Sequence, residues 1–222
     1  MEVSLSLIEL KDIEFSYSRG RLVLDGVCLT LKKGQKVLLS GGNGAGKTTL
    51  FHIILGLLSP KKGSIKLFNK YCQKEQDFFE PRKKIGLLFQ DPDDQLFSPS
   101  VIEDVAFGPL NLGFSHKEAL SKARDTLDSL GILHLEKRVP YELSGGEKKL
   151  VALATILSMD PQVLLLDEPL VGLEKKAVER FLAVLNSKKL DAFIIISHLP
   201  ELLKESVNCF WILENGKLTS LS

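Results

Sequence analysis

Apolar and polar residues alternate in two segments near the start of the chain. Ile13, Phe15 and Tyr17 are separated by polar residues, and a second alternating segment runs from Val27 to Leu31. This period of two residues predicts strands with one buried face. Further along, short apolar runs are typical of strands buried within a sheet. These further predicted strands are KVLLS (36–40), GSIKLF (63–68), KIGLLFQ (84–90), VLLLDE (163–168) and AFIIIS (192–197).

The pattern also predicts one apolar helix and one hairpin. Residues 50–58, LFHIILGLL, predict the helix, and we expect Pro60 to end it. Asn215 and Gly216 lie between two strand-like runs, which is a strong signal for a tight turn between antiparallel strands. Together with the strands above, these elements predict an α/β protein with a mixed sheet.

The middle of the chain has a different character. Ser115 and Ser144 are each followed three residues later by glutamate, the spacing of a capping box at the start of a helix. Apolar residues at helical spacing follow both serines. We therefore expect a helical subdomain at about 91–158, inserted into a single domain that spans 1–222.

The composition restricts the class of protein but predicts no further helices or strands. The chain has 222 residues, 44% hydrophobic and 26% charged, with a net charge of +1, so it is long enough for a domain with its own core. No apolar run approaches the ~18 residues of a membrane span, and the charge balance gives no reason to expect a nucleic-acid partner. The first ten residues lack a basic stretch, so we expect no signal peptide. The three cysteines lack CxxC spacing and are expected to be reduced thiols.

A glycine-rich stretch between a predicted strand and a predicted helix carries the clearest chemistry. Gly41, Gly46, Lys47 and Thr48 have the P-loop spacing, in which backbone N–H groups surround phosphates and the lysine reaches the β- and γ-phosphates. The threonine hydroxyl is suited to Mg²⁺. The alternative is a glycine-rich turn without a ligand. The predicted ATP-binding residues of this segment are Gly41, Gly42, Asn43, Gly44, Ala45, Gly46, Lys47, Thr48 and Thr49.

Polar residues follow three of the predicted strands. Asp167 and Glu168 end VLLLDE, Gln90 ends KIGLLFQ, and His198 follows AFIIIS. In α/β sheets, ligands bind at the carboxyl ends of strands. We expect Asp167 to hold Mg²⁺ and Glu168 to orient or deprotonate a water. Each residue also has a structural interpretation: carboxylates cap helices, and a histidine after a strand is commonly structural.

The segment ELSGGEKKL, 142–150, predicts a second anion site. Ser144 and Glu147 would cap a helix, and two glycines between them leave its N–H groups accessible. One chain would then carry two phosphate sites about a hundred residues apart.

These motifs together resemble those of ATP-binding-cassette (ABC) ATPases, in order and spacing, over essentially the whole chain. The resemblance implies a P-loop NTPase of ABC type, with N-terminal antiparallel strands and an inserted helical subdomain. It also implies that two cassettes pair head to tail, so that the signature of one contacts ATP held by the other. The catalytic residues would be Lys47, Gln90, Glu168 and His198. The Mg²⁺ ligands would be Thr48, Gln90 and Asp167. The signature residues would be Leu143, Ser144, Gly145, Gly146 and Glu147. Tyr17 would stack on adenine, with an ordinary core tyrosine as the alternative.

A narrower resemblance lies in residues 89–113, FQDPDDQLFSPSVIEDVAFGPLNLG. This string is similar to the cobalt, nickel and energy-coupling-factor branch, whose ATPases drive uptake of metal ions or vitamins. It implies a peripheral location on the cytoplasmic face of the membrane and a transmembrane coupling subunit as partner. Leu96 and Phe97 would either line a groove for a short helix of that subunit or fold beneath the loop. A solvated acidic loop is the third possibility.

Some positions depart from the family pattern. LVGLE stands where TAGLD is usual, so that Glu174 replaces an aspartate expected to face the partner cassette. The second cassette is therefore either an identical chain or a different one. Two other functions remain open at this point. One is a soluble cassette ATPase, and the other is a cassette that binds ATP only to regulate assembly.

Overall fold

The computed structural model describes residues 6–18, 20–187 and 190–221. The strands are β1 (Ser6–Phe15), β2 (Leu24–Lys32), β3 (Lys36–Ser40), β4 (Lys62–Leu67), β5 (Lys70–Cys72), β6 (Ile85–Leu88), β7 (Val163–Asp167), β8 (Ala192–Ile196), β9 (Cys209–Glu214) and β10 (Lys217–Leu221). The helices are α1 (Lys47–Ile54), α2 (Phe79–Arg82), α3 (Val101–Asn111), α4 (His116–Ser129), α5 (Gly145–Leu157) and α6 (Lys175–Ser187).

The chain folds into two compact units. The first unit comprises residues up to Ile85 and from Asp191 onward, and the second unit comprises Gly86–Leu190. The prediction of one domain with a helical insert at about 91–158 stays a prediction. Residues 1–5, on which the expectation about a signal peptide partly depends, lie outside the described residues. In the part of the chain that the structure covers, no helix is both long enough and apolar enough to cross a membrane.

The first unit contains both antiparallel and parallel strand pairs, as the alternating segments and the continuous apolar runs predict. An antiparallel sheet has the order β2-β1-β4-β5. The other sheet strands of this unit run β10-β9-β3-β8, where β3 is parallel to both of its neighbours and β10 is antiparallel to β9. Asn215 and Gly216, with φ of 50° and 76°, form the predicted turn between β9 and β10. The expected α/β class is confirmed.

The end of α1 differs from the prediction. The helix ends at Ile54 rather than near Pro60, because Gly56 adopts a left-handed φ of 68° just beyond it. A Cβ at Gly56 would lie 2.6 Å from the ring of Phe78, so the position also requires a small residue. The helix therefore ends because of Gly56, ahead of Pro60.

The second unit contains β6 and β7 as neighbouring strands together with α3 to α6. Two of these helices, α3 and α6, are absent from the predictions. Helix α3 contains Gly108 and Pro109, which read as turn residues in the sequence. A Cβ at Gly108 would lie 2.6 Å from Met159, so this glycine permits close packing. Tertiary contact thus outweighs local helix propensity here.

Both predicted capping boxes are present. At the start of α4, the Glu118 carboxylate accepts from the Ser115 N–H at 2.9 Å and the Ser115 hydroxyl accepts from the Glu118 N–H at 3.4 Å. Gly131, with φ of 68°, follows the end of this helix as expected.

We expect Ser115→Ala to lower the free energy of unfolding by about 1 kcal/mol, the usual cost of removing a serine N-cap. Urea unfolding followed by circular dichroism measures this. Ser121→Ala, an exposed position inside the same helix, is the control and should not destabilise the protein, because alanine favours helix. Equal effects of the two substitutions would contradict the capping role.

Candidate nucleotide-binding and hydrolysis site

The P-loop connects β3 to α1 in the first unit. Gly41 and Gly46 have φ of 145° and 99°, and a Cβ at these positions would lie 2.2 Å from the Leu213 carbonyl oxygen and 2.8 Å from Val23, respectively. The loop conformation therefore requires glycine at both places. A backbone cradle made mostly of glycine, at the start of a helix that has no acidic residue in its first turn, suits an anionic phosphate chain.

Lys47 lies at the junction of this loop with α1. Its side chain is largely buried, with 9% of the residue exposed. The ammonium donates to the carbonyl oxygens of Gly41 and Gly42 at 2.7 and 3.0 Å. A cation held over the loop is placed to meet phosphate oxygens that enter the same cradle. The loop residues Gly42 to Ala45 also border a cavity of about 490 Å³.

Tyr17 lies just beyond the end of β1, beside the P-loop helix. Its hydroxyl is 2.7 Å from Thr49 Oγ1 on α1, and its ring contacts Phe15 edge-on. The residue is 66% exposed. The alternative interpretation as a core tyrosine is therefore wrong. Its role toward adenine stays a prediction, and an accessible ring next to the P-loop helix is consistent with it.

The acidic strand end belongs to the second unit. Strand β7 is buried along its whole length, and Asp167 and Glu168 are only 3% and 6% exposed. Glu168 has φ of 46°, an unusual left-handed conformation for a residue other than glycine. Such backbone strain is found at functional sites more often than elsewhere. Two buried carboxylates at a strand end supply oxygen ligands of the kind that Mg²⁺ prefers.

Lys149, which the sequence reasoning missed, contacts the turn that follows β7. Its ammonium donates to the carbonyl oxygens of Glu168 and Val171 at 2.9 and 3.0 Å. Burial lowers the pKa of Lys149, while the carboxylates of Glu168, Asp167 and Asp91 oppose that shift. A buried lysine between two motifs is not detectable from the local pattern, because lysines after a signature segment read as solvated.

Gln90 and His198 are both exposed. Gln90 follows β6 in the second unit, and His198 follows β8 in the first. The first unit thus carries the P-loop, Tyr17 and His198, whereas the second carries Gln90, Asp167, Glu168 and the signature. Their assignment as site residues stays a prediction.

Gln95 is a second residue that sequence reasoning did not single out. Its side-chain oxygen Oε1 accepts from the Phe89 N–H at 3.2 Å. Its side-chain nitrogen Nε2 donates to Ala152 O and Thr155 Oγ1 at 2.8 and 2.7 Å. It fastens the segment after β6 to α5, within the second unit. The only signal in the sequence was its place in the string DPDDQLF.

The signature forms the start of α5. The Glu147 carboxylate accepts from the Ser144 N–H at 2.9 Å, and the Ser144 hydroxyl accepts from the Glu147 N–H at 3.3 Å. Hydrogen bonds from the Ser144 side chain and backbone lower the pKa of Glu147. Ser144 and Gly145 are exposed, and nothing lies within 4 Å of a Cβ placed on Gly145. This helix start is therefore accessible to a ligand from outside the chain.

A cavity of about 680 Å³ surrounds that helix start. Glu174 lines it together with signature residues Leu143 to Glu147 and residues Asp91 to Asp93. No three His, Cys, Asp or Glu side chains cluster as a metal site anywhere in residues 6–18, 20–187 and 190–221.

Comparison with known proteins agrees with the motifs. The ABC transporter family profile matches residues 24–171. A protein of Brucella suis biovar 1, named as an ABC transporter ATP-binding protein, is 51% identical over 199 residues, covering 90% of this chain and 82% of the relative. The energy-coupling factor transporter ATP-binding protein EcfA of Methanocaldococcus jannaschii is 41% identical over 215 residues, covering 96% and 77%.

Two solved structures share the fold. CbiO1 from Clostridium perfringens, part of the ABC transporter complex cbiONQ, has a TM-score of 0.82 at 33% identity, covering 96% of this chain and 87% of CbiO1. A dimeric ATP-binding cassette bound to ADP and Pi, MJ0796, has a TM-score of 0.87 at 24% identity, covering 97% and 99%, and supports the fold alone. The chain therefore belongs to the ABC transporter family, as an ATPase subunit whose hydrolysis of ATP is coupled to transport.

Proposed function

We propose that this chain is the ATPase subunit of an energy-coupling-factor or cobalt-type importer that drives uptake of a metal ion or a vitamin. The relatives named EcfA and CbiO1 support this branch. The observation that carries the proposal is an exposed apolar cluster in and directly after the segment 89–113, where the sequence resembles that branch. The chain would work peripherally, on the cytoplasmic face of the membrane.

In the proposed site, the loop 41–46 and the ammonium of Lys47 bind the phosphates of ATP, and Tyr17 stacks on the adenine. The glycine cradle supports this, because a Cβ at Gly41 or Gly46 would collide with the surrounding chain. Thr48, Gln90 and Asp167 would hold Mg²⁺, which neutralises charge on the phosphates when bound.

Hydrolysis requires a group that activates water. Glu168 is proposed to orient the attacking water and accept its proton, as a general base does. His198 is proposed to hydrogen-bond the γ-phosphate oxygens. The burial of Glu168 supports its role, because a carboxylate shielded from solvent acts more strongly on a nearby water.

The signature is proposed to serve the ATP of a second cassette. In a head-to-tail dimer, the exposed helix start at Ser144 and Gly145 would meet the γ-phosphate held by the partner. Each chain would then contribute two half-sites. The second cassette is either an identical chain or a related one, and Glu174 beside the signature cavity is a position where the two could differ.

The membrane partner is proposed to dock on the exposed apolar cluster of the second unit. Phe97 and Phe107 are 68% and 48% exposed, and their rings contact each other edge-on at 5.0 Å. Leu110 and Phe114 are each 40% exposed on or just after the same helix, α3. Exposed aromatic side chains grouped in this way are typical of interaction surfaces. Phe97 is thus not folded beneath its loop, and a short apolar helix is a suitable occupant.

We expect Phe97→Ala to reduce co-purification with the membrane subunit and to abolish substrate uptake. The ATPase rate of the isolated chain should stay largely unchanged, because Phe97 packs against Phe107 and its backbone N–H donates to Asp104, neither of which is a proposed hydrolytic residue. Phe79→Ala, which removes another exposed phenylalanine, in the first unit, is the matched control. Loss of ATPase activity with intact complex formation would contradict the docking role.

A further inference from the structure

Lys149 is a buried cation with an unusual set of partners. It is 7% exposed and lies in α5, five residues after Ser144, the N-cap of this helix. Lysines are seldom buried at this level unless their charge is satisfied. Its ammonium donates to two backbone carbonyls, those of Glu168 and Val171, at 2.9 and 3.0 Å. The two acceptors are the first and last residues of one turn.

That turn carries the carboxylate on which the proposed hydrolysis depends. Glu168 has φ of 46°, and the turn's own hydrogen bond, from the Val171 N–H to the Glu168 carbonyl, is long at 3.4 Å. A left-handed conformation outside glycine persists only where the surroundings impose it. The ammonium of Lys149 joins both ends of the turn, so it supplies a constraint that the turn itself lacks.

We infer that Lys149 is a positioning residue, which holds the turn 168–171 and thereby fixes the direction of the Glu168 carboxylate. The inference rests on the proposed function, in which Glu168 acts as the base. It deepens that proposal, because Lys149 belongs to the helix that begins at the signature.

The consequence is a link between the two half-sites of one chain. The signature at the start of α5 contacts the partner's nucleotide in the proposed dimer, whereas Lys149 in the same helix holds the chain's own base. A rigid helix transmits a displacement of its first turn to residues one turn further on. Binding of the partner's nucleotide at the signature would thus change the position of Glu168 in the same chain.

The test is Lys149→Met, which keeps most of the length and the apolar character of the side-chain stem and removes its donors. We expect kcat to fall 10- to 100-fold, as small displacements of catalytic groups do, with the KM for ATP within two-fold of the wild-type value. Lys122→Met is the matched control. It removes a partly buried lysine of the same unit that pairs with Asp160, and its kcat should equal that of the wild type.

A double variant separates positioning from a general structural effect. If Lys149 acts through Glu168, Lys149→Met should add less than two-fold to the loss caused by Glu168→Gln in single-turnover hydrolysis. If the rate of the double variant instead falls by the product of the two single-variant losses, the inference is overturned. A wild-type kcat for Lys149→Met would also overturn the inference. If Glu168→Gln is slow in the same experiment, the proposed function still holds. A wild-type rate for Glu168→Gln would instead overturn the proposed function.

Amide hydrogen exchange gives a readout that needs no activity. Residues 168–173 should exchange faster in Lys149→Met than in the wild type, with no change there in Lys122→Met. Unchanged exchange would overturn the inference. If Lys149→Met does not fold, as judged by thermal unfolding, Lys149→Gln takes its place, because the shorter amide stays polar but cannot bridge both carbonyls.

Discussion

Replacing Glu168 by glutamine is expected to slow ATP hydrolysis by ~10²–10⁴-fold, the usual contribution of a general base. The amide preserves the size of the side chain but cannot accept a proton from water. ATP should still bind, because the P-loop and Tyr17 are unchanged, and the ATP-bound dimer should therefore persist. Phosphate release gives the rate, and size-exclusion chromatography with ATP gives the dimer.

The control for this substitution is Glu179→Gln, which makes the same chemical change at an exposed position of α6. Its rate should match the wild type. If Glu168→Gln also hydrolyses ATP at the wild-type rate, Glu168 is not the base, and the acid at the end of β7 has a structural role.

Ser144→Arg is expected to abolish ATP-driven pairing while leaving nucleotide binding by the monomer nearly unchanged. Ser144 is exposed at the start of α5, where nothing crowds Gly145. An arginine side chain there would fill the approach that the partner's γ-phosphate needs. Analytical ultracentrifugation in the Glu168→Gln background, where ATP is not consumed, measures the pairing, and a fluorescent ATP analogue measures binding.

Ser115→Arg is a close control, because Ser115 is also the N-cap of a helix with a capping box. Both substitutions remove the same kind of cap, so both should destabilise the fold by similar amounts. Only Ser144→Arg should prevent pairing. Pairing that survives Ser144→Arg would contradict the proposal that the signature serves the partner's nucleotide.

Several elements could be predicted because their determinants are local. Strands β3, β7 and β8 are continuous apolar runs, and both capping boxes are pairs of residues three positions apart. The turn at Asn215 depends on the conformational freedom of two adjacent residues. Interactions between close neighbours in the chain leave a readable pattern, and these elements were predicted correctly.

Other elements escaped prediction because distant residues decide them. Helix α3 retains Gly108 and Pro109, since the glycine packs closely against Met159. Helix α1 ends at Ile54, shortly before Gly56, where a Cβ would lie 2.6 Å from the ring of Phe78. Tyr17, although it continues an alternating apolar pattern, lies past the end of β1 and is exposed.

The sequence by itself determined the chemical groups of this ATPase: the P-loop, the paired acids at the end of β7 and the signature are each contiguous, and contiguous residues fold into predictable local geometry. Only the tertiary structure decided how those groups are held. Lys149 reaches the turn at Glu168 from 19 residues away in the chain, and Gln95 fastens its loop to α5 across 57 residues. The sequence could not show either contact, because each depends on packing between separate elements. The first contact sets the backbone on which the proposed base depends.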